Sequence, residues 1–210
     1  GGTFTDFVLI QQGKLQTHKV LSTPDAPERA ILQGITELGL AKAVSTGEIS
    51  LVHGSTVATN AALERKGVLT AFITNKGFKD MLTIARQTRP QLYSLETPPL
   101  APPVTEDLCF EVNGRLDAFG QELEKPSETS LFSLLQQLEA ACPDAIAINL
   151  LFSFIDNQHE TLVADYLRDN LSWQPFICCS SSVLTEYKEY ERGIACWLNA
   201  SLSPLVQNYL

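Results

Sequence analysis

The sequence has no long apolar run. Its longest apolar stretch, residues 145–154, is interrupted by Asn149 and Ser153. That length suits a buried strand, whereas a membrane-spanning helix needs about 20 apolar residues. The start of the chain also lacks the basic and apolar segments of a secretory leader. These absences argue against a membrane as partner and favour a cytoplasmic protein.

Basic residues are scarce relative to acidic ones. The chain has 15 Lys and Arg against 24 Asp and Glu, which gives a net charge of −9, and its basic residues form no stripe. Binding to a nucleic acid needs clustered Lys and Arg that neutralise phosphates. We therefore expect no nucleic-acid partner, and we interpret the acidity as a contribution to solubility.

Several signatures of well-known chemistries are missing. The five cysteines form no CxxC pair, so a zinc ribbon or a thioredoxin-like site has no support. Their odd number and irregular spacing are typical of reduced thiols in a cytosolic protein. No HExxH, GxSxG or GK[ST] motif occurs, which removes the usual evidence for a zinc protease, an α/β-hydrolase or a Walker loop.

Strand and helix patterns alternate along the chain after an opening hairpin. Strands are predicted at residues 3–10, 15–21, 49–53, 69–74, 145–152 and 176–181. Helices are predicted at about residues 25–42 with Asp25 as N-cap, at 57–66 ended by Gly67, from Ser127 to Pro143, from Asp156, and from about Glu186. The proline-rich residues 88–104 predict an extended loop, and Asn113-Gly114 predicts a hairpin at 110–116. The expected fold class is α/β, a mixed sheet with helices on its faces.

The first candidate site is the opening stretch Gly1-Gly2-Thr3-Phe4-Thr5-Asp6. Paired glycines let a backbone approach an anion closely, and hydroxyls of Thr3 and Thr5 add donors. Asp6 could hold a magnesium-bound water. The alternative is an ordinary hairpin turn in which the threonines are only strand formers.

The second candidate site runs from His53 to Asn60. It lies between a predicted strand and a predicted helix, where ligands bind in open α/β sheets and free N–H groups attract anions. The alternative is that Ser55 or Thr56 only caps the helix and His53 is structural. The two readings carry similar weight on the residues alone.

Two charged segments are weaker candidates for a functional site. Arg86 and Arg89, beside Pro90, could clamp a carboxylate or phosphate, but a solvated surface is the simpler interpretation. The run from Glu186 to Arg192 has the spacing of a solvated helix face.

Both candidate sites resemble motifs of the hydantoinase A / 5-oxoprolinase family. Residues 1–6 look like its opening motif, and residues 53–67, HGSTVATNAALERKG, resemble its most characteristic segment. Residues 74–80, 86–90 and 189–210 match the family in the same order, so the resemblance covers essentially the whole chain. Arg89-Pro90 followed by Leu92-Tyr93 is more similar to hydantoinase A than to 5-oxoprolinase.

The resemblance implies an actin-like ATPase fold with ribonuclease-H-like lobes. It also implies coupling of ATP hydrolysis to the opening of a cyclic amide, because phosphorylation of the amide oxygen makes a poor electrophile reactive. ATP, Mg²⁺, a hydantoinase B-type subunit or fused domain, and an oligomeric assembly are implied with it. Residues 1–185 would be the N-terminal region, and residues 186–210 would begin the catalytic region that follows.

The resemblance also assigns roles to individual residues. Gly1, Gly2, Thr3 and Thr5 would bind the nucleotide, and Asp6 would serve the metal and the chemistry. His53 would be catalytic. The remaining implied contacts are with substrate, and they are Gly54, Thr56, Asn60, Arg86 and Arg89.

Three departures from the family pattern matter. The family has an Asp two positions before the first glycine, at the end of a leading strand that this chain starts too late to show. The family continues beyond residue 210, so we expect residues 1–210 alone to be inactive. Residues 194–196 replace a Ser/Thr-rich stretch. An ATP-dependent ketone carboxylase subunit and a nucleotide-responsive assembly lobe stay open as alternatives.

Overall fold

The chain divides into two compact units. The computed structural model describes residues 3–23, 26–88, 93 and 101–209. One unit is Gly1–Lys66 with Leu205–Leu210, and the other is Gly67–Pro204. The division of the sequence at residue 186 concerns family regions rather than compact units, and it stays a prediction.

The first unit begins with the predicted hairpin. Strand β1 (Phe4–Gln11) pairs antiparallel with β2 (Lys14–Leu21). Gln12 and Gly13 form the two-residue turn, both at positive φ, which matches the twist of a hairpin. Side chains alternate along β1, so that Thr5, Phe7 and Leu9 are half-buried while their neighbours are exposed.

Two short helices follow where one was predicted. Helix α1 (Pro27–Glu37) and α2 (Ala41–Ser45) are separated at Gly39, whose φ of 72° ends the first helix. The predicted N-cap Asp25 lies outside the described residues, and Ala26 occupies the N-cap position without a side-chain cap bond. The prediction of one helix over residues 25–42 was therefore wrong.

The predicted strand at residues 49–53 is absent. No described strand lies beside it, and Val52 is 90% exposed, so its backbone has no ladder to join. Helix α3 (Val57–Glu64) follows as predicted. Its left-handed C-cap is Arg65 rather than Gly67. Gly67 is needed for a different reason, because a Cβ there would lie 1.7 Å from Ser201 Oγ.

The second unit is built on a parallel sheet. Its strand order is β4 (Cys109–Val112), β3 (Thr70–Asn75), β7 (Ala145–Ile148) and β8 (Phe176–Cys179). The antiparallel pairs form separate two-stranded sheets, so the described strands are not combined in one mixed sheet. The α/β class with helices and a sheet is nevertheless confirmed.

Helices cover both faces of this sheet. Helices α5 (Glu128–Ala141) and α6 (Gln158–Asn170) pack on the face that carries Ile73 and Ile146. Helix α4 (Met81–Ile84) and α8 (Glu189–Tyr209) pack on the face that carries Phe72. The strands therefore read as continuous apolar runs, as expected for a parallel sheet buried on both sides. None of the described helices is long and apolar enough to cross a membrane.

The predicted hairpin at residues 110–116 was wrong. Strand β4 pairs with β3, while β5 (Arg115–Leu116) pairs with β6 (Glu122–Glu124). Asn113 is instead a local brace, since its Nδ2 donates to Glu124 Oε1 at 2.8 Å and its Oδ1 accepts from Ser127 N at 3.0 Å. Pairing of β4 with β3 in the central sheet therefore forms instead of the hairpin that Asn113-Gly114 predicted.

The ends of the remaining elements were predicted more closely. Ser127 Oγ accepts from Ser130 N as an N-cap of α5, and α5 ends before Pro143. Asp156 Oδ1 accepts from Gln158 N at 2.9 Å at the start of α6. The strands β7 and β8 end earlier than predicted, and β8 continues directly into α7 (Ser180–Val183).

Candidate functional site

A groove in the first unit brings most of the predicted site residues together. It has a volume of about 1630 Å³ and runs along β1, with α1, α2 and residues 48–57 among its other walls. Six predicted site residues line it: Thr5, Asp6, His53, Gly54, Thr56 and Asn60. Two motifs that are about 50 residues apart in sequence therefore meet at one site.

Strand β1 positions the first motif. Thr5 Oγ1 lies 3.1 Å from Ser22 Oγ, and the Thr3 carbonyl accepts from Ser22 N at 3.0 Å. Thr3 does not line the groove. Gly1 and Gly2 lie outside the described residues, so the predicted phosphate loop is described only from Thr3 onward.

Asp6 has a basic neighbour that the motif alone does not indicate. Its Oδ1 lies 3.1 Å from Lys19 Nζ, and both side chains are more than half exposed. The hairpin register places these two residues directly opposite each other. Pairing the two predicted strands around Gln12-Gly13 would have found Lys19 from the sequence.

The second motif lies at the N-terminal end of α3. Ser55 Oγ accepts from Val57 N at 3.1 Å, so Ser55 provides the local cap. Thr56 occupies the N-cap position without a side-chain cap bond, and its Oγ1 accepts from Asn60 Nδ2 at 3.4 Å. His53 and Gly54 are exposed on the same groove. Capping therefore occupies the Ser55 hydroxyl, while the Thr56 hydroxyl contacts the Asn60 amide in the wall of the groove.

Arg86 belongs to the second unit and has an acidic partner. Its Nε donates to Glu191 Oε1 at 2.7 Å, and its guanidinium lies 5.5 Å from the centre of the Tyr190 ring. The hydrogen bond with Glu191 raises the pKa of Arg86, and the same bond lowers the pKa of Glu191. Arg89 lies outside the described residues.

The spacing of the charged run from Glu186 to Arg192 predicted a solvated helix face, and Lys188 and Glu189 are indeed exposed. Arg192 is the exception. Arg192 is completely buried. Its Nε donates to Ser180 Oγ at 3.0 Å, Nη1 to the Glu186 carbonyl at 2.9 Å and Nη2 to the Leu150 carbonyl at 2.8 Å. Burial lowers the pKa of Arg192, and Glu160 opposes that shift.

Glu160 completes this buried network at the carboxyl ends of β7 and β8. It accepts from Leu150 N at 3.0 Å and from Ser180 Oγ at 2.5 Å through Oε1. Through Oε2 it accepts from Ser181 N at 3.0 Å and Ser181 Oγ at 2.6 Å. Glu160 and Arg192 are far apart in sequence, so no spacing pattern indicates their connection.

The donor set limits which metal could bind. Among the described residues, no group of three or more His, Cys, Asp or Glu side chains is placed to hold a metal ion. Asp6 offers a single carboxylate at the groove. Mg²⁺ commonly binds one or two carboxylates together with substrate phosphates and water. The residues therefore fit a magnesium ion that a nucleotide brings, rather than a metal held by the protein alone.

Comparison with known proteins places this α/β chain in a family. Residues 1–171 match the model of the hydantoinase/oxoprolinase N-terminal region. That match covers most of the chain, so the protein belongs to this family. The resemblance inferred from residues 1–6 and 53–67 is thereby confirmed.

Three relatives of the chain carry the names of three different enzymes. The chain is 34% identical to 5-oxoprolinase of Saccharomyces cerevisiae and 29% identical to the alpha subunit of caprolactamase from Pseudomonas jessenii, in both cases over 100% of its length. It is 29% identical to the gamma subunit of acetophenone carboxylase from Aromatoleum aromaticum over 99% of its length. The chain spans only 19%, 31% and 31% of these relatives, respectively.

Two solved structures share the fold. The crystal structure of ATP-dependent caprolactamase from Pseudomonas jessenii matches 100% of this chain with a TM-score of 0.84 at 29% identity. The nucleotide-free structure of acetone carboxylase matches 99% of it with a TM-score of 0.83. At 22% identity, the second likeness is evidence for the fold alone. The chain covers 31% and 32% of those two chains.

Proposed function

We propose that this chain is the N-terminal part of an ATP-dependent hydrolase that opens a cyclic amide. The observation that carries the proposal is the match of the whole chain, with a TM-score of 0.84, to an ATP-dependent caprolactamase. The 34% identity to a 5-oxoprolinase supports it, because caprolactam and 5-oxoproline are both cyclic amides. We further propose that the chain forms part of an actin-like ATPase lobe.

The first motif is proposed to bind the nucleotide. Thr5 and Asp6 line the groove, and Gly1, Gly2 and Thr3 precede them directly in sequence. Asp6 would contact magnesium or a water bound to it. Its ion pair with Lys19 does not oppose this role, because exposed pairs contribute only about 0–1 kcal/mol. Bound Mg²⁺ would neutralise phosphate charge and stabilise the leaving group.

The second motif is proposed to act on the substrate. The N-terminal end of α3 favours negative charge, and Thr56 and Asn60 add a hydroxyl and an amide at the same groove. His53 is exposed there and can transfer a proton during ring opening. The backbone at Gly54 is open on the groove, because a Cβ built there would meet no heavy atom within 4 Å, so a ligand can approach it.

Arg86 and Arg89 are proposed to contact an anionic group of the substrate. Arg86 directs its Nε–H at Glu191, and a guanidinium has five N–H donors in all. Glu191 would thus orient Arg86, while the remaining donors bind a carboxylate or phosphate. We also propose a hydantoinase B-type subunit or domain as partner, in a cytoplasmic oligomer.

A ketone carboxylase subunit is the second candidate function. It is favoured by the 29% identity to an acetophenone carboxylase subunit over 99% of the chain. A cyclic amide hydrolase and a carboxylase could both use ATP to activate a carbonyl oxygen. They differ in whether the reaction consumes bicarbonate.

Replacement of Thr56 tests the proposed site. In the complete gene product with its partner subunit, Thr56→Ala should lower phosphate release stimulated by a cyclic amide by about tenfold or more, since a hydrogen bond to a charged group is lost. Thr17→Ala is the matched control, because Thr17 is exposed on β2 and does not line the groove. Equal rates for the two variants would contradict the assignment of the site.

A further inference from the structure

Arg86 is held by two consecutive residues in the first turn of α8. Its Nε donates to Glu191 Oε1 at 2.7 Å, and its guanidinium lies 5.5 Å from the centre of the Tyr190 ring. The Arg86 side chain is 61% exposed, so solvent rather than packing surrounds most of it. The direction of Arg86 therefore depends on where the first turn of α8 lies.

The start of α8 is fixed to the end of β7 by hydrogen bonds. Arg192 Nη2 donates to the Leu150 carbonyl, two residues after β7, at 2.8 Å. Asn149, which directly follows β7, donates from Nδ2 to the Glu189 carbonyl at 3.1 Å. Arg192 Nη1 also donates to the Glu186 carbonyl, just before the helix, at 2.9 Å. The guanidinium of Arg192 thus joins the end of a strand to the segment that leads into α8.

Glu160 holds the other side of this junction. Its Oε1 accepts from Leu150 N at 3.0 Å and from Ser180 Oγ at 2.5 Å. Ser180, the first residue after β8, in turn accepts from Arg192 Nε at 3.0 Å. Glu160 and Arg192 are both completely buried. One carboxylate and one guanidinium therefore connect the ends of β7 and β8 with the start of α8.

Helix α8 also lies close against the segment that carries Arg86. Arg86 follows α4 by two residues. A Cβ built at Gly193 of α8 would lie 2.8 Å from Met81 Cε in α4 and 2.8 Å from Asn149 Nδ2. Helix α4, helix α8 and the end of β7 therefore meet at one junction, from which Arg86 projects.

Two buried charges stabilise a fold poorly. Desolvation opposes their attraction, so well-packed apolar side chains often stabilise a core equally well or better. A buried polar network instead requires one geometry, because each donor must meet its acceptor. The best-attested use of such groups is to fix how elements are placed relative to each other. Here the element whose placement is fixed is the first turn of α8.

We propose that Glu160 and Arg192 are positioning residues for Arg86. They fix the first turn of α8, and that turn directs Arg86 through its two contacts. Because both residues are completely buried, they act through the turn rather than on a ligand. The functional consequence rests on the anion contact proposed above for Arg86, whereas the positioning itself does not.

Modification by phenylglyoxal, an arginine reagent, tests the positioning without any substrate. In the complete gene product, Arg192→Lys should raise the modification rate of Arg86 about threefold or more, because Arg86 loses a charge-assisted hydrogen bond when the turn shifts. Lysine keeps the positive charge but lacks the planar fork that serves three separate acceptors. Peptide mass spectrometry gives the rate at each arginine. Arg168, which pairs with Asp165, is the internal reference and should keep its rate.

Leu134→Ala is the matched control for general destabilisation. Leu134 is buried under α5, on the face of the sheet opposite α8. This variant should lower the melting temperature at least as much as Arg192→Lys but leave the modification rate of Arg86 unchanged. Equal acceleration in both variants, or none in Arg192→Lys, would overturn the proposal. If Arg192→Lys yields no soluble protein, Glu160→Gln replaces it with the same expected result, since it removes the charge and keeps the shape.

Steady-state kinetics separate the positioning from the role of Arg86. Arg86→Ala and Arg192→Lys should each raise KM for the cyclic amide about threefold or more with kcat little changed, and the double variant should show no further increase. Additive effects would overturn the proposal, because Arg192 would then act independently of Arg86. If Arg86→Ala leaves KM unchanged, the anion contact proposed for Arg86 is wrong, and the phenylglyoxal comparison alone decides the positioning.

Discussion

Arg192 illustrates how much a single residue can depend on its environment. It occurs in a run of charged residues, yet its guanidinium is buried and binds two carbonyls and the Ser180 hydroxyl. Ser180 in turn donates to Glu160, so the two opposite charges are connected through one hydroxyl. A buried charge of this kind is tolerated because each nitrogen of its guanidinium has a hydrogen-bond acceptor.

Removal of Arg192 should therefore destabilise the protein strongly. Arg192→Ala should lower the free energy of unfolding by about 3–5 kcal/mol, because Glu160 would be left buried without its countercharge. Urea unfolding of the complete protein measures this. The control is Arg168→Ala, which breaks an exposed pair with Asp165 and should cost at most about 1 kcal/mol. Similar losses for the two variants would contradict the network.

Cys178 should titrate as an unusually acidic thiol. A hydrogen bond with Cys196 lowers the pKa of Cys178 to about 7, burial opposes the shift, and a further bond from Asn199 Nδ2 supports it. The lowered pKa favours the native state at high pH. The stabilisation is complete above the usual thiol pKa and is lost as pH falls through about 7.

Thiolate absorbance measures this titration. Native protein should gain one thiolate near pH 7 that is missing from Cys178→Ser. Cys179 is the internal comparison, since burial raises its pKa to about 12. Identical absorbance of the two proteins up to about pH 8.5 would contradict the assignment.

Contact between elements in the first unit depends on one glycine. Gly34 on α1 lies against the Phe7 ring of β1, and a Cβ at this position would come within 2.2 Å of two ring carbons. A rigid aromatic ring cannot yield as a flexible side chain can. Helix and hairpin are also linked by His18 Nε2, which lies 2.6 Å from Glu37 Oε2.

Gly34→Ala should consequently destabilise the protein despite the better helix propensity of alanine. We expect a loss of about 1–3 kcal/mol in the free energy of unfolding, which exceeds the gain of about 1 kcal/mol from propensity. In a double-mutant cycle, Gly34→Ala should cost much less in a Phe7→Ala background. An unchanged cost in that background would show that the ring is not the cause.

The elements that the sequence predicted well are those whose ends are determined by residues nearby in the sequence. Ser127 caps α5 through a bond to an amide three residues away, and Gln12-Gly13 closes the first hairpin within two residues. The predictions that were wrong concern segments whose structure depends on pairing with residues far away in the sequence. Strand 49–53 has suitable residues but no neighbour among the described strands, and Asn113-Gly114 lies where β4 pairs with a strand about 35 residues earlier in the chain.

The candidate site likewise has residues that the sequence predicted and residues that it did not. The motifs at residues 1–6 and 53–60 could be identified from their residue types, and Thr5, Asp6, His53 and Asn60 do line one groove. Lys19 and Glu191, which pair with Asp6 and Arg86, belong to neither motif. Such partners depend on strand register and helix position, which a motif does not specify.

At the scale of the whole molecule, most of the chain corresponds to the hydantoinase/oxoprolinase N-terminal region. It spans 31% of a caprolactamase subunit and 19% of a 5-oxoprolinase. Among the described residues, the second unit has two buried clusters on the faces of its sheet, whereas the first unit has four buried apolar residues, Val20, Ala26, Ala30 and Ile35, beside an open groove. We therefore expect the activity to require the rest of the polypeptide and its partner.

The most direct test of the proposed function follows phosphate release and ring-opened product in the same reaction. The complete gene product with its partner subunit would receive Mg-ATP and, in turn, hydantoin, 5-oxoproline, caprolactam, or acetone with bicarbonate. Our account predicts that one cyclic amide stimulates phosphate release and is opened in proportion to it. Stimulation by acetone with bicarbonate alone, or ATP binding without stimulation by any substrate, would contradict it.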